Sequence, residues 1–458
     1  MRKKSLFLAL LALLVGALAL AAAGCGGDGD DGGDDGGGGN GGGSGSGVSA
    51  LPSSLCSPLE YEGEEGTQPD VIIASDLPLQ GSSRNQTIQM TEAMRQVLRD
   101  AGWKAGDLNV GYQSCDDATP QAGKWDSGKC SQNGKAYASN EDVVAVVGTF
   151  NSGCAQIIIP LLNEAPGGGV AMISPANTYV CLTTAGPGCE GTEPDKYYPT
   201  GNRNYVRMVA HDGYQGAALA QFMQDKGVES VFVLNDKESY GLGVAENLRN
   251  AAESLGIEVA GFEAWDPKAA GYEGLMRKIA GTNADALFLG GLIDENGAQV
   301  IKDKVATLGP NDGDVMLLAP DGFTAQATID EAGQENAAGM FSSVAGVPPE
   351  ELTGAGADFI ASFEEALGGE PIEPYSAYGA QAMQVALDAI AEGGEDRAAV
   401  IEALMATEVT DGILGSFSIT EEGDPTSGPI TVYVATETFE AEEVITPSEE
   451  LVQAAMGG

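Results

Sequence analysis

Histidine occurs once in this sequence, at position 211; basic side chains number 22 against 67 acidic ones, and no CxxC pair is present. Each shortage closes a route. A Ser-His-Asp triad would have to be built on His211, and no GxSxG elbow accompanies it. Zinc sites need cysteine and histidine in clusters that this chain does not offer. A net charge of −45 repels nucleic acid and anionic lipid. Spread along the chain, the acids read as a solubility device. No GxxxxGKS phosphate loop is present, and YGLGVAE (240–246) has two glycines of a GxGxxG pattern but not the third. The pair Glu364–Glu365 reads as a solvated helix face. Asp116 and Asp117, beside Cys115, read as a solvated loop rather than a metal site. No cofactor, metal or catalytic residue is expected, and His211 reads as a surface or hinge residue.

The N-terminus is rich in information. Arg2, Lys3 and Lys4 precede an apolar stretch over 6–23, which closes on Ala22-Ala23-Gly24-Cys25. This is the layout of a secretory signal over residues 1–24. It resembles the bacterial lipoprotein signal, with Cys25 as the lipidated residue, although Ala22 stands where that signal prefers leucine. A membrane-spanning anchor is the rival, since the stretch is long enough. Residues 26–47 are only Gly, Asp, Asn and Ser; they cannot bury apolar area and would span about 25 Å as a coil. A disordered tether is expected over 25–67. Six further cysteines, an even number, point to disulfides in an exported chain. Nearness in sequence favours Cys115–Cys130 and Cys181–Cys189 and leaves Cys56–Cys154.

From residue 68 apolar runs alternate with amphipathic helices. VIIAS (71–75), LNVGYQS (108–114), VVAVVG (143–148) and GVAMIS (169–174) read as strands. An irregular stretch over 175–204 leads to a second series: SVFVLN (230–235), IEVAGFE (257–263), ADALFLGG (284–291) and DVMLLAP (314–320). Such alternation builds mostly parallel sheets flanked by helices, and two series predict an α/β protein of two similar lobes. The tail departs from the pattern: three helices precede ILGSFSI (413–419) and PITVYVA (429–435), runs placed to carry the chain back across the lobe boundary. The expected lobes are 68–210 plus 345–428 and 211–344 plus 429–458, joined by crossover hinge segments. In open parallel sheets ligands sit at the carboxyl ends of strands. Ser152 and the amide of Gly153 lie at such an end and at the start of a helix, where an anion would be held. An ordinary helix cap would use the same residue types, and spacing alone leaves both open.

Four strand ends carry small polar residues, tyrosine or aspartate: VVGTFNSG (146–153), MISPANTYVCLTT (172–184), LNDKESYGLG (234–243) and LAPDGFTA (318–325). In this order they resemble the branched-chain amino acid (Leu/Ile/Val) binding protein family, the extracytoplasmic receptors of ABC importers with a two-lobed type I periplasmic binding fold. The resemblance covers roughly 68–440. It implies that Ser152 and Thr178 meet a ligand α-carboxylate. It further implies that Ala176 offers a carbonyl to the α-ammonium, that Asp321 pairs with that ammonium, and that Tyr240 closes from the second lobe. Aspartate replaces the family's glutamate at 321, and Leu292 replaces a ligand-facing tyrosine. The loop LPLQGSSR (77–84) is similar to the family's first cleft loop, so Arg84 either reaches an acidic ligand group or sits on the surface. The implied function is a lipid-anchored, monomeric receptor on the outer face of the cell membrane. It would deliver a small amino acid or related amide or acid to a permease without chemistry. A ligand-sensing receptor for a signalling partner is the alternative, and a secreted hydrolase ranks behind both.

Overall fold

The computed structural model describes residues 47–458 apart from Pro187 and Ser427; the signal-like stretch, Cys25 and the Gly-rich run to residue 46 lie outside the described residues. Two sheets organise the body. The first has six strands in the order Lys104–Ala105, Leu108–Asp116, Val71–Leu77, Val143–Gly148, Ala171–Ser174 and Tyr205–Arg207, parallel except at the first pair. The second has seven: Glu258–Ala264, Ser230–Asn235, Ala286–Gly290, Met316–Ala319, Phe341–Val344, Ile430–Ala435 and Phe439–Ile445. Its first five strands are parallel and the last two join antiparallel.

Continuous apolar runs form these strands because both faces are covered. Along Val71–Leu77, Val71 and Ile73 enter one core with Met90, Met94 and Leu98 of the helix Arg84–Asp100. Ile72 and Ala74 enter another, with Ile158, Ile159 and Leu162 of the helix Ser152–Asn163. The second sheet repeats this. Val231 and Val233 face Leu219 and Val244, whereas Phe232 and Leu234 face Met276, Ile279 and Val300. Among the described residues the chain passes between the sheets three times: after Arg207, between Val344 and Ser376, and before Ile430.

The run ILGSFSI forms part of the hairpin Glu408–Gly412 with Gly415–Ser418, apart from both sheets, and the chain crosses after it to reach Ile430, in line with the expected return. Several expectations need correction. Residues 48–67 are not tether. Leu51 and Cys56 are buried, the Ser57 amide donates to the Ser114 carbonyl at 2.7 Å, and Glu60 pairs with Tyr112. Arg95 holds Glu60 at 2.7 Å over the same edge. The disulfides are Cys56–Cys115, Cys130–Cys154 and Cys181–Cys189; the expected Cys115–Cys130 and Cys56–Cys154 do not form. Element packing decides this. The 56–60 segment runs antiparallel beside the strand that carries Cys115, and the helix Ser127–Ser139 packs its Cys130 against the helix that carries Cys154. Asp117 is fully buried and Asp116 half-buried, with its carboxylate accepting from the amides of Leu79 and Ala118; neither belongs to a solvated loop. Glu364 and Glu365 are exposed on the helix Ala355–Ala366.

Candidate functional site

Between the carboxyl ends of the two sheets lies a cleft lined by Trp125, Phe150, Ser152, Ala176, Thr178, Tyr240, Leu292 and Asp321, with Asn151, Gly153, Glu238 and Gly322 completing it. Six of the seven residues expected at a ligand therefore converge. Arg84 does not: it is exposed and lines a separate crevice with Gln89 and Glu373. Its neighbours Ser82 and Ser83 carry the contact across the lobes instead.

The first wall is built from helix and loop ends. Ser152 opens the helix Ser152–Asn163, and Asn151 stands at its cap with extended backbone and no side-chain capping bond. The amides of Ser152 and Gly153 have no acceptor within the helix and border the cleft. Trp125 lies so close over Gly153 that an added Cβ would sit 2.5 Å from its ring, so glycine is what admits the indole. The Thr178 loop is held rigidly from beneath. Ser174 Oγ accepts from the amides of Ala176 and Asn177, and the Asn177 amide group donates to the Phe150 carbonyl at 2.9 Å. Arg207 donates from Nη1 to the carbonyls of Asn177 and Tyr179 at 2.9 and 3.0 Å.

Tyr240, in the first turn of the helix Ser239–Ser254, donates from its hydroxyl to Asp321 Oδ1 at 2.5 Å and accepts from the Gly322 amide at 3.0 Å. Gln215 donates to the same Asp321 oxygen at 2.9 Å, and Tyr375 donates to Oδ2 at 2.8 Å. Burial raises the Asp321 carboxyl above the usual range, and these three hydrogen bonds draw it part of the way back. Gln215 also donates to Asp212 at 3.1 Å. Burial and the Asp321 charge push Asp212 well up, so two carboxyl groups share one amide at the base of the cleft. Asp236, from the DKESYG run, is scaffold. It accepts from the amides of Glu238 and Leu292, both at 2.9 Å, and Gly241 and Gly291 crowd its carboxylate. Burial pushes it up to about 8. His211 caps the helix Asp212–Asp225, with Nδ1 accepting from the Gly213 amide at 3.1 Å. Burial and then the Arg207 charge lower it to about 4, against the pull of Asp424.

The lobes are closed on each other at the cleft mouth. Asp294 accepts from the Ser82 amide at 3.1 Å and from Ser83 Oγ at 2.9 Å, Lys124 pairs with Glu238 and Glu295, and Ser239 donates to Gln156 at 3.1 Å. The cleft encloses about 420 Å³, including space open to solvent, but only about 20 Å³ takes the centre of a water-sized sphere. That is room for one or two waters; a larger guest enters only when the lobes part. Trp125, Phe150 and Glu238 were not singled out in the sequence. The latter two lie inside quoted strand-end motifs, whereas Trp125 sits on a short hairpin with no motif of its own.

Comparison with known proteins gives a consistent result. The family model described as "Periplasmic binding protein" matches residues 73–439. A Leu/Ile/Val-binding protein homolog of Brucella abortus is 25% identical over 361 residues, covering 78% of this chain and 88% of that one. A leucine-, isoleucine-, valine-, threonine- and alanine-binding protein of Pseudomonas aeruginosa is 26% identical over 184 residues, 40% of this chain and 43% of its own length. Among solved structures, a leucine binding protein of Thermotoga maritima superposes with a TM-score of 0.70 at 23% identity, covering 82% of this chain and 99% of that one. A solute binding protein of R. palustris in complex with benzoate gives 0.66 at 17%, covering 82% and 96%. At these identities the structures establish the fold.

Proposed function

The chain belongs to the periplasmic binding protein family, and we propose that within it this protein binds a free α-amino acid with an apolar side chain and hands it unchanged to the permease of an ABC importer. The observation that carries the reading is the polarity of the cleft. Amide and hydroxyl donors at Ser152, Gly153 and Thr178 stand on one wall, a hydrogen-bonded carboxyl at Asp321 on the other, and Trp125, Phe150 and Leu292 between them. Donors suit a carboxylate, the acid suits an ammonium, and the apolar walls suit a hydrocarbon side chain. The relatives' names agree with that chemistry. Three disulfides accord with an oxidising, extracytoplasmic setting. Attachment through a lipid on Cys25 is part of the proposal; no helix among the described residues is long and apolar enough to cross a membrane.

A thermal-shift panel of the proteinogenic amino acids tests it. The matching ligand stabilises the folded chain by about 2.7 kcal/mol at a hundredfold excess over Kd and is recovered intact. Ser152→Ala and Thr178→Ala each remove one hydrogen bond to a charged group, about 1.5–3 kcal/mol, or roughly ten- to a hundredfold in Kd. Unchanged affinity in both variants would remove the carboxylate site from this wall.

A further inference from the structure

Away from the cleft, the first lobe buries a second group of acids. Asp76 is the penultimate residue of the strand Val71–Leu77, and Asp117 follows the strand Leu108–Asp116. Asn133 and Tyr137 reach them from the helix Ser127–Ser139. All four side chains are fully buried. Asn133 donates to Asp76 Oδ1 at 3.1 Å and to the Asp116 carbonyl at 3.1 Å. Among the described residues, both Asp117 carboxylate oxygens and Asn133 Oδ1 have no hydrogen-bond partner, and the Tyr137 hydroxyl hydrogen-bonds the Asp76 carboxyl. The Cys130–Cys154 disulfide closes one side, with both sulfurs within 4.8 Å of an Asp117 oxygen.

A protein rarely leaves three buried polar atoms unmatched in one place. Two buried carboxylates without a counter-charge are costlier still. The charges around the group do not supply one. Asp116 adds negative charge, and Lys129, among the described residues the one cation acting on Asp76, is the weakest influence on it and donates to the Ser54 carbonyl at the surface. Burial pushes Asp76 up to about 7, and burial together with Asp76 pushes Asp117 well up. Shared protons are the competing arrangement: one on each carboxyl, with the Tyr137 hydroxyl, would give the group three donors. One hard divalent cation would balance both carboxylates and take oxygen from Asp76, Asp117, Asn133 and Tyr137, the donor set calcium prefers. Asn133 carries the inference beyond an acidic cluster, since it is fully buried and presents an unmatched carbonyl oxygen beside the carboxyl groups.

We propose that Asp76, Asp117, Asn133 and Tyr137 form a buried site for a calcium-like divalent cation in the first lobe. The cation ties two strand ends to the helix Ser127–Ser139. It also braces the hairpin over 118–125, because the Asp117 carbonyl accepts from the Asp126 amide at 2.9 Å just beyond Trp125. The experiment uses the full mature chain without amino acid, so its outcome is independent of the cleft reading. Bound metal is measured by elemental analysis after gel filtration, and melting is followed in chelator and in excess calcium. A stoichiometric metal content and a melting temperature that climbs with the logarithm of calcium concentration are expected. Asp117→Asn abolishes both, yet in chelator melts no lower than wild type, because it removes a buried like charge. Asp76→Asn serves the same purpose should Asp117→Asn not fold. Melting indifferent to chelator, calcium and magnesium, with no bound metal, would overturn the proposal in favour of shared protons. A calcium response that survives both substitutions would overturn it as well.

Discussion

Asp321→Ala is expected to weaken amino-acid binding roughly thirty- to a few thousandfold, as calorimetric titration would show. Removing one partner of a buried, hydrogen-bonded charge pair costs about 2–5 kcal/mol, and about 1.4 kcal/mol is a factor of ten. Among the described residues, Asp321 and Glu238 are the acids lining the cleft, and Glu238 is drawn to Lys124. The pH dependence of binding has a definite sign. Burial raises Asp321, and an ammonium ligand requires it ionised. Affinity is therefore constant while Asp321 is ionised and the ligand's ammonium protonated, and falls as pH drops through the raised value, about tenfold per unit once below it. Stability of the free protein runs the other way. An acid raised on folding stabilises least when ionised, so its contribution diminishes as pH climbs from about 3.9, the unfolded value, towards the folded one. Asp321→Asn removes both trends and leaves the fold's circular dichroism unchanged. Retained affinity with a retained pH profile would show that another group meets the ligand.

Arg207→Leu is expected to cost about 3–5 kcal/mol of stability, read as a fall in the urea midpoint. Arg207 is wholly buried, and its Nε donates to Asp424 at 2.7 Å while Nη2 donates to Thr183 at 2.6 Å. Asp424 belongs to the returning segment before Ile430, so the pair fastens the first and third passages between the sheets to each other. Losing the arginine strands the Asp424 carboxylate in the interior; Arg207→Leu with Asp424→Leu costs less than the single change. Burial alone would raise Asp424, but the Arg207 charge and the hydrogen bonds from Thr183 and Arg207 hold it below the usual carboxylate value. The stability it contributes is complete above about pH 3.9 and is lost as pH falls through the lowered folded value. Because Arg207 also carries the carbonyls of Asn177 and Tyr179, the variant loosens the Thr178 loop, and ligand affinity falls with stability. Equal stability of the single and double variants would contradict this role.

Long apolar runs made the sheets legible. VVAVVG and SVFVLN are strands whose runs of five and four consecutive apolar residues are buried on both faces of a covered sheet. The family resemblance carried by the strand-end motifs made six cleft residues legible, and they converge because a parallel sheet delivers its carboxyl ends to one place. The helix Ser127–Ser139 was not legible, since its buried face is Cys130, Asn133, Gly134 and Tyr137 rather than aliphatic. With that helix unseen, the Cys130–Cys154 bridge could not be found, and Asp117 read as solvent-facing. Trp125 escaped because a two-residue strand has no periodicity. Arg84 stayed open between ligand and surface because a motif fixes where the backbone runs; which way a long side chain leaves the first helical turn depends on packing.

The central claim is that the two walls of the cleft read both ends of a zwitterion. The most direct measurement is a set of calorimetric titrations of the mature chain with leucine, 4-methylpentanoate, which lacks the amine, and 3-methylbutylamine, which lacks the carboxylate. The account predicts saturable binding of leucine and at least a hundredfold weaker binding of each truncated analogue, with Asp321→Ala narrowing the gap between leucine and the amine-free acid. Equal binding of leucine and 4-methylpentanoate would contradict it, leaving Asp321 a structural acid and the protein a receptor for carboxylic acids.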